Sequence, residues 1–306
     1  MTVLARPATE TRSWNRSIAD YAALTKPRII ELLLVTTLPA MVLAARGLPP
    51  LEVTLATLVG GAAAAGSANA VNCVLDRDID ALMARTANRP FNRSTVSPRA
   101  ALVFAAVLGA GAVGLLWVAA NALAAGLTAL AIAIYVVGYT LVLKRRTPSN
   151  IVWGGSAGCM PTLIGWAAVT GSLAPTPFVL FAVVFFWTPP HFWALAMRFA
   201  RDYERAGVPM LPVVAAPRVV VGRIAAYTCL TIAASIALWP VAATGPVYPV
   251  GAAVLGAVFL REVLVLCREV RAGRPGRPLR VFHASISYLA LLFLWVGVVV
   301  VVGSRW

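Results

Sequence analysis

The chain has 306 residues, of which 60% are hydrophobic and only 12% charged, where a soluble domain carries about 25% charged residues. That composition excludes an ordinary water-soluble enzyme, a disordered chain and a disulfide scaffold, and leaves a polytopic membrane protein. The net charge of +15, from 26 Lys/Arg against 11 Asp/Glu, would suggest nucleic acid in a soluble protein. In a membrane protein the cations have first to be assigned to loops, because cytoplasmic loops collect them.

Residues 1–22 form a polar N-terminal segment with no apolar run long enough for a signal peptide. Residues 23–306 read as one transmembrane domain. Apolar spans are predicted at 29–47, 52–72, 100–120, 122–143, 151–170, 177–198, 222–241, 247–266 and 281–303. Each approaches the 20 or so residues a helix needs to cross a ~30 Å hydrocarbon core. Backbone groups in lipid must be satisfied internally, and continuous runs such as 291–302 lack the alternation of a barrel strand. The expected fold is therefore all-α, with nine transmembrane helices around a central cavity. With the N-terminus in the cytoplasm, 24 of the 26 cations fall on inside segments and only Arg46 and Arg305 outside. That bias predicts an outward C-terminus and accounts for the net charge without nucleic acid.

The four cysteines, Cys73, Cys159, Cys229 and Cys267, are widely spaced and read as apolar fillers. His283, alone in an apolar run, reads as a packing residue. Five of the 11 acids, Asp76, Asp78, Asp80, Asp202 and Glu204, lie in just two inside loops. Acids add little to topology, so this clustering needs another cause.

The second span ends with Asn72, Asp76 and Asp80 at i, i+4 and i+8, close to one face of a continuing helix. Carboxylates one turn apart repel unless a cation sits between them. Hard oxygen ligands of this kind suit Mg²⁺, which keeps waters and fills other positions with substrate phosphates. Asp78 points off this face. The same loop continues with Arg85 and Arg89, and arginines beside a carboxylate-bound metal make a diphosphate cradle. Asp76, Asp80 and, with less direct support, Asp202 are thus the candidate metal ligands.

The loop Lys144-Arg145-Arg146 must lie on the same membrane face. It reads either as phosphate contact, with Lys144 and Arg145 the candidates, or as positive-inside anchoring. Lys26-Pro27-Arg28 reads in the same way, with anchoring favoured. The sixth span closes with Trp187-Thr188-Pro189-Pro190-His191-Phe192-Trp193. If helix continues past it, His191, Leu195, Arg198 and Asp202 form one stripe, with His191 about 16 Å deeper than Asp202. An ionisable residue at that depth is a functional candidate; the alternative for His191 is a hydrogen bond between packed helices. Asp202 reads as a further metal ligand, direct or through water, or as an acid of a helix-end loop.

The run Asn72-xxx-Asp76-xxx-Asp80 followed by Arg85-Thr86-x-Asn88-Arg89-Pro90 resembles the first Asp-rich motif of the UbiA intramembrane prenyltransferase superfamily. The stretches Lys144–Val152, Trp187–Ala196 and Asp202-Tyr203-x-x-Ala206-Gly207-Val208-Pro209-Met210-Leu211-Pro212, with Leu24-Thr25-Lys26-Pro27-Arg28, are similar to its protoheme IX farnesyltransferase (heme O synthase) branch. The resemblance implies Mg²⁺-dependent transfer of farnesyl from farnesyl diphosphate to a vinyl group of heme B, with water addition. It implies catalytic roles for Asn72, Asp76, Asp80 and Asp202, to which the reading of the residues themselves adds Arg85, Arg89, Lys144 and Arg145 as diphosphate contacts and His191 as a candidate heme contact. At the second motif this chain has one matching Asp instead of a repeated DxxxD. The short N-terminus favours a bacterial plasma membrane over a mitochondrial inner membrane as the setting, multi-pass, with a cytoplasmic active face and a downstream heme A synthase as a candidate partner. A prenyltransferase acting on a quinone precursor, and a non-catalytic heme carrier or transporter, are the rival readings. The second predicts charges near the bilayer midplane, whereas the acids here gather at one mouth.

Overall fold

The computed structural model describes residues 14–83 and 96–303. Among these residues the chain is helical, without strands. The helices are α1 (Trp14–Thr25), α2 (Pro27–Ala45), α3 (Leu51–Leu75), α4 (Arg77–Leu82), α5 (Pro98–Ala119) and α6 (Ala122–Ala133). A π-helical segment (Ile134–Leu143) continues α6. There follow α7 (Asn150–Gly154), α8 (Ser156–Thr170), α9 (Pro175–Arg198), α10 (Ala200–Arg205), α11 (Leu211–Val214), α12 (Pro217–Ala242), α13 (Val247–Arg271) and α14 (Pro278–Gly303).

Local chemistry sets several boundaries. Ser97 caps α5, its hydroxyl accepting from Ala100 N–H, with Pro98 in the first turn, where a missing N–H costs nothing. Asn121 caps α6 through Ala124 N–H at 2.9 Å, and its amide also donates to Ala167 O at 2.7 Å, tying α6 to the end of α8. Gly171 follows α8 at φ +66°, the left-handed closing conformation glycine adopts freely.

α3 packs along α5, α9 along α12, and α2 along α8; α12, α13 and α14 follow one another as neighbours. At the α2–α8 crossing a Cβ on Gly165 would lie 2.9 Å from Thr37 O, so only glycine lets the two backbones approach this closely. Trp193, Phe259 and Phe293 are buried in the main core. Val107, Trp117, Val118 and Leu294 point outward and exposed. Such an apolar exterior is unsuited to water and suited to lipid. The protein is an integral membrane protein.

Seven helices among the described residues are long and apolar enough to cross a membrane, or eight if the bent pair Ile18–Thr25 and Ile30–Ala45 counts as one span. The run expected as one span at 151–170 is divided. Gly154 and Gly155 divide that run into α7 and the 15-residue α8. At 1.5 Å per residue α8 alone reaches only about 22 Å. The supposed polar N-terminal segment also carries most of α1, which is set at 58° to α2.

Candidate active site

α3 ends at Asp76, whose backbone (φ −97°, ψ 7°) turns the chain into α4. The i→i+4 bonds survive the turn: Asp76 N–H reaches Asn72 O at 2.9 Å and Asp80 N–H reaches Asp76 O at 2.8 Å. Asn72, Asp76 and Asp80 are all buried, Asp76 completely. Carboxylates withdrawn from water are tolerated only with partners.

Partners for Asn69, Asn72 and Asp76 come from the π segment and from Lys144, which closes it. Tyr135 donates to Asn69 Oδ1 at 3.2 Å, Asn72 Nδ2 donates to Thr140 Oγ1 at 3.1 Å, and Lys144 Nζ donates to Asp76 Oδ2 at 2.5 Å. The rungs are spaced 69, 72, 76 on one side and 135, 140, 144 on the other. An α-helical return would not keep steps of five and four on one line. The i→i+5 backbone bonding of the π segment does, closing with Lys144 N–H on Tyr139 O at 2.8 Å, while the Thr140 hydroxyl donates to Tyr135 O; such π segments recur at functional sites. The neighbouring α7 fits against this segment through Gly154, where a Cβ would fall 2.3 Å from the Tyr139 ring.

Asn72 joins the two halves, because its Nδ2 also donates to Asp76 Oδ2 at 2.5 Å and its Oδ1 accepts from Lys26 Nζ at 2.6 Å. Arg145 forks onto Asp78 at 2.7 and 2.6 Å, donates to Leu75 O, and stands 3.7 Å from Asp76 Oδ1. The Arg145 guanidinium holds the Asp78 carboxyl at about 2, below its ordinary 3.8, and Asp78 in turn raises Arg145. Asp76 Oδ1 is buried and has no hydrogen-bond partner.

Below the lowest rung lies an apolar cavity of about 140 Å³, with Asn69 and Tyr135 at one end and Thr57 at the other. Gly61, Ala64, Ala68 and Ala131 are among its walls, with Leu33 of α2 and Pro161 of α8. From Asn69 to Thr57 is about 18 Å along α3.

Asp202 is not gathered with the other acids. α9 stops at Phe199 (φ −111°, ψ 24°), so the continuous stripe from His191 through Asp202 is broken. Asp202 lies buried on α10, paired with Arg205, and lines a separate cleft with Arg198 and Arg201. Among the described residues no three His, Cys, Asp or Glu side chains form a group able to hold a metal. Of the candidate ligands, Asp76 faces Lys144 and Asp202 faces Arg205. Arg85 and Arg89 lie outside the described residues.

His191 is inserted between α9 and α14. Trp187 stacks on one side at 4.3 Å between centroids and Phe282 on the other at 4.6 Å. Its Nδ1 is 2.8 Å from Ser285 Oγ. The single hydroxyl proton of Ser285 goes to Phe282 O at 2.6 Å, so Ser285 accepts from Nδ1–H. The imidazole lone pair is therefore on Nε2. Trp187 Nε1 donates to Ser285 O at 2.7 Å and braces the same contact. The hydrogen bond between packed helices, the alternative reading of His191, is present, and it leaves one nitrogen as an acceptor or ligand.

Sequence reasoning assigned Lys26 to anchoring and gave Thr140 and Asn69 no role. Their signal was positional: Asn69 lies three residues before Asn72, and Thr140 four before Lys144. It becomes readable only once the π register is known.

The UbiA prenyltransferase family model matches residues 33–296. The protoheme IX farnesyltransferase of Frankia alni is 56% identical over 288 residues, covering 94% of this chain and all of that one. Protoheme IX farnesyltransferase 1 of Saccharopolyspora erythraea is 57% identical, covering 94% and 91%. Among solved structures, a UbiA homolog from Archaeoglobus fulgidus bound to GPP and Mg²⁺ superposes with TM-score 0.66 at 17% identity, covering 92% of this chain and 99% of that one. A chain from a study of digeranylgeranylglyceryl phosphate synthase superposes with TM-score 0.72 at 16% identity, covering 94% and 98%. The chain belongs to the UbiA prenyltransferase family and, within it, to the protoheme IX farnesyltransferases.

Proposed function

We propose that the protein transfers the farnesyl group of farnesyl diphosphate to a vinyl group of heme B, with addition of water, giving heme O and diphosphate. The observation that carries this reading is the buried Asp76 carboxylate. One of its oxygens lacks a hydrogen-bond partner and the other is held by Lys144 and Asn72, about two turns above an apolar cavity. A charged site for a diphosphate stands at the head of a channel for an isoprenoid.

The donor set fits Mg²⁺. Asp76 Oδ1 is an unsatisfied hard oxygen, and the Asp80 carboxylate is buried one turn on. Asp76 and Asp80 would hold the ion, with Asp202 joining through substrate or water. Bound there, Mg²⁺ supplies positive charge against the leaving diphosphate.

This chain's own residues do the rest. Lys144 and Arg145, joined by Arg85 and Arg89, present cations to the diphosphate oxygens as the allylic C–O bond breaks. The cavity from Asn69 to Thr57 takes the farnesyl tail and keeps water from the allylic cation. The electron-rich vinyl carbon of heme attacks that cation, and water adds to the cation left on the heme side chain. His191, oriented through Ser285, offers Nε2 to the heme iron or to a polar edge of the ring.

The chain is read as nine crossings, with α7 and α8 together forming the broken fifth at about 30 Å. The N-terminus is cytoplasmic and the C-terminus outside, so the Asp76 mouth opens to the cytoplasm of a bacterium. Residues 23–306 act as one prenyltransferase domain, and the product passes to a heme A synthase.

The test is mass spectrometry of hemes extracted after incubating purified protein with heme B and farnesyl diphosphate, with and without Mg²⁺. A Mg²⁺-dependent product heavier by one farnesyl group and one hydroxyl group supports the assignment. Unchanged heme from folded protein refutes it and directs the assay to aromatic acceptors.

A further inference from the structure

The linker between α1 and α2 is held by α3 over three consecutive residues. Cys73 Sγ lies 3.9 Å from Leu24 O, Asn69 Nδ2 donates to Thr25 O at 2.9 Å, and Asn72 Oδ1 accepts from Lys26 Nζ at 2.6 Å. The two carbonyls belong to the last turn of α1, which has no helical partner for them. Leu24 is completely buried beneath this clamp, in a small core with Cys73 and Ala70.

Lys26 itself is left-handed, at φ 55° and ψ 63°. That region is unfavourable for a residue with a Cβ, and the Pro that follows disfavours helical backbone at the preceding residue. Glycine would adopt the conformation without strain. Strain in a non-glycine residue persists where its surroundings over-determine it, and such residues cluster at functional sites. Here the strained residue delivers an ammonium to the head of the Asp76 site.

The consequence for Asn72 is geometric. Thr140 spends its hydroxyl proton on Tyr135 O, so it accepts from Asn72 Nδ2. Lys26 is a pure donor, so it must meet Oδ1. Both partners therefore impose the same amide orientation, the one that directs Nδ2 at Asp76 Oδ2. Cation, amide, carboxylate and cation follow in order: Lys26, Asn72, Asp76, Lys144.

We propose that Lys26 is a positioning residue of the diphosphate site, acting through the Asn72 amide on the Asp76 carboxylate. The inference rests on the prenyl-transfer reading above. It assigns Lys26 to the reaction machinery instead of to membrane anchoring.

The test compares the full-length protein with Lys26→Gly, Lys26→Arg, Asn72→Ala and the Lys26→Gly/Asn72→Ala double variant, in detergent. Two properties are measured: melting temperature, and the Kd for the non-hydrolysable S-thiolo analogue of farnesyl diphosphate in the presence of Mg²⁺. Lys26→Gly relieves the left-handed strain, so its melting temperature should stay at or above that of the parent. Its Kd should weaken by about 10-fold or more, as for loss of a charged hydrogen bond. Lys26→Arg should recover to within about threefold, and the double variant should bind no worse than Asn72→Ala alone, since coupled residues are non-additive. Binding by Lys26→Gly within about twofold of the parent, or independent losses that add in the double variant, would overturn the proposal. Failure of the parent to bind the analogue at all would instead overturn the prenyl-transfer reading.

Discussion

Lys144 Nζ lies 2.5 Å from Asp76 Oδ2, with the carboxylate fully buried and the lysine side chain only 13% exposed. The ammonium stands where a divalent cation would neutralise the same carboxylate. Removing one partner of a buried pair costs about 3–5 kcal/mol. Because Asn72 and Arg145 remain near Asp76, the lower end applies to Lys144→Met, about 3 kcal/mol. Melting in chelator should show that loss, and Mg²⁺ should restore more of it in the variant than in the parent. Equal stability of the two proteins in chelator would contradict the account. Asp76→Ala should insert and fold yet lose heme O formation.

Asp78 is bound by the same Arg145 but is 59% exposed, the guanidinium 40%. The forked contact lowers the Asp78 carboxyl from 3.8 to about 2. A depressed folded-state value stabilises above the unfolded one, so the contribution is complete above about pH 4 and disappears as pH falls towards 2. Solvent screening keeps an exposed pair to about 0–1 kcal/mol. Asp78→Asn should therefore melt within a degree or two of the parent at neutral pH, with the difference vanishing at the acid end of the scan. A large loss at neutral pH would mean that Asp78, not Asp76, is the structural carboxylate of the loop.

Much of this was legible in the sequence, because hydropathy and the i, i+4, i+8 acids depend on local chemistry. The apolar runs located the long helices, and Asn72, Asp76 and Asp80 fell where α3 meets α4. What escaped was every break in helical period. Gly154-Gly155 divides a run whose mean hydropathy is continuous. Phe199 ends α9 without a proline or glycine to mark it. The left-handed Lys26 is visible only through the α3 side chains that clamp its neighbours. The partner of Asp76 was chosen by a π register that no 3.6-residue periodicity encodes, so Lys144 was a candidate and Thr140 was not.

The π register makes its own prediction. Gly138 lies inside the segment with little around it, a Cβ there meeting only Ile134 at 3.9 Å. Deleting Gly138 shortens the interval from Tyr135 to Thr140 to the four residues of an α-helix. The rung between Tyr135 and Asn69 can then be kept only by turning Lys144 away from Asp76. The deletion variant should still insert, since its apolar length is nearly unchanged, while heme O formation falls by at least about 100-fold, the cost of misplacing a charged group at the reacting centre. A deletion variant with near-parental turnover would mean that Lys144 reaches the diphosphate without the π segment.

His191 and Ser285 separate packing from function where α9 meets α14. Both faces of the imidazole are covered by Trp187 and Phe282, so a porphyrin cannot stack on it, and any heme contact must pass through Nε2 at the ring edge. Ser285 fixes which nitrogen carries the proton. Ser285→Ala removes that acceptor and frees the ring to present either nitrogen, so heme affinity should fall by a few-fold, in line with about 1 kcal/mol for one neutral hydrogen bond. His191→Ala removes the nitrogen itself and should lower heme affinity by about 10-fold or more while the Kd for farnesyl diphosphate stays unchanged. Optical titration of each variant with heme B reads both effects, and a shifted Soret band lost only in His191→Ala would identify iron ligation. If His191→Ala binds heme and turns over as the parent does, the Nε2 lone pair faces no substrate, and the Trp187–His191–Phe282 stack serves only to join α9 to α14.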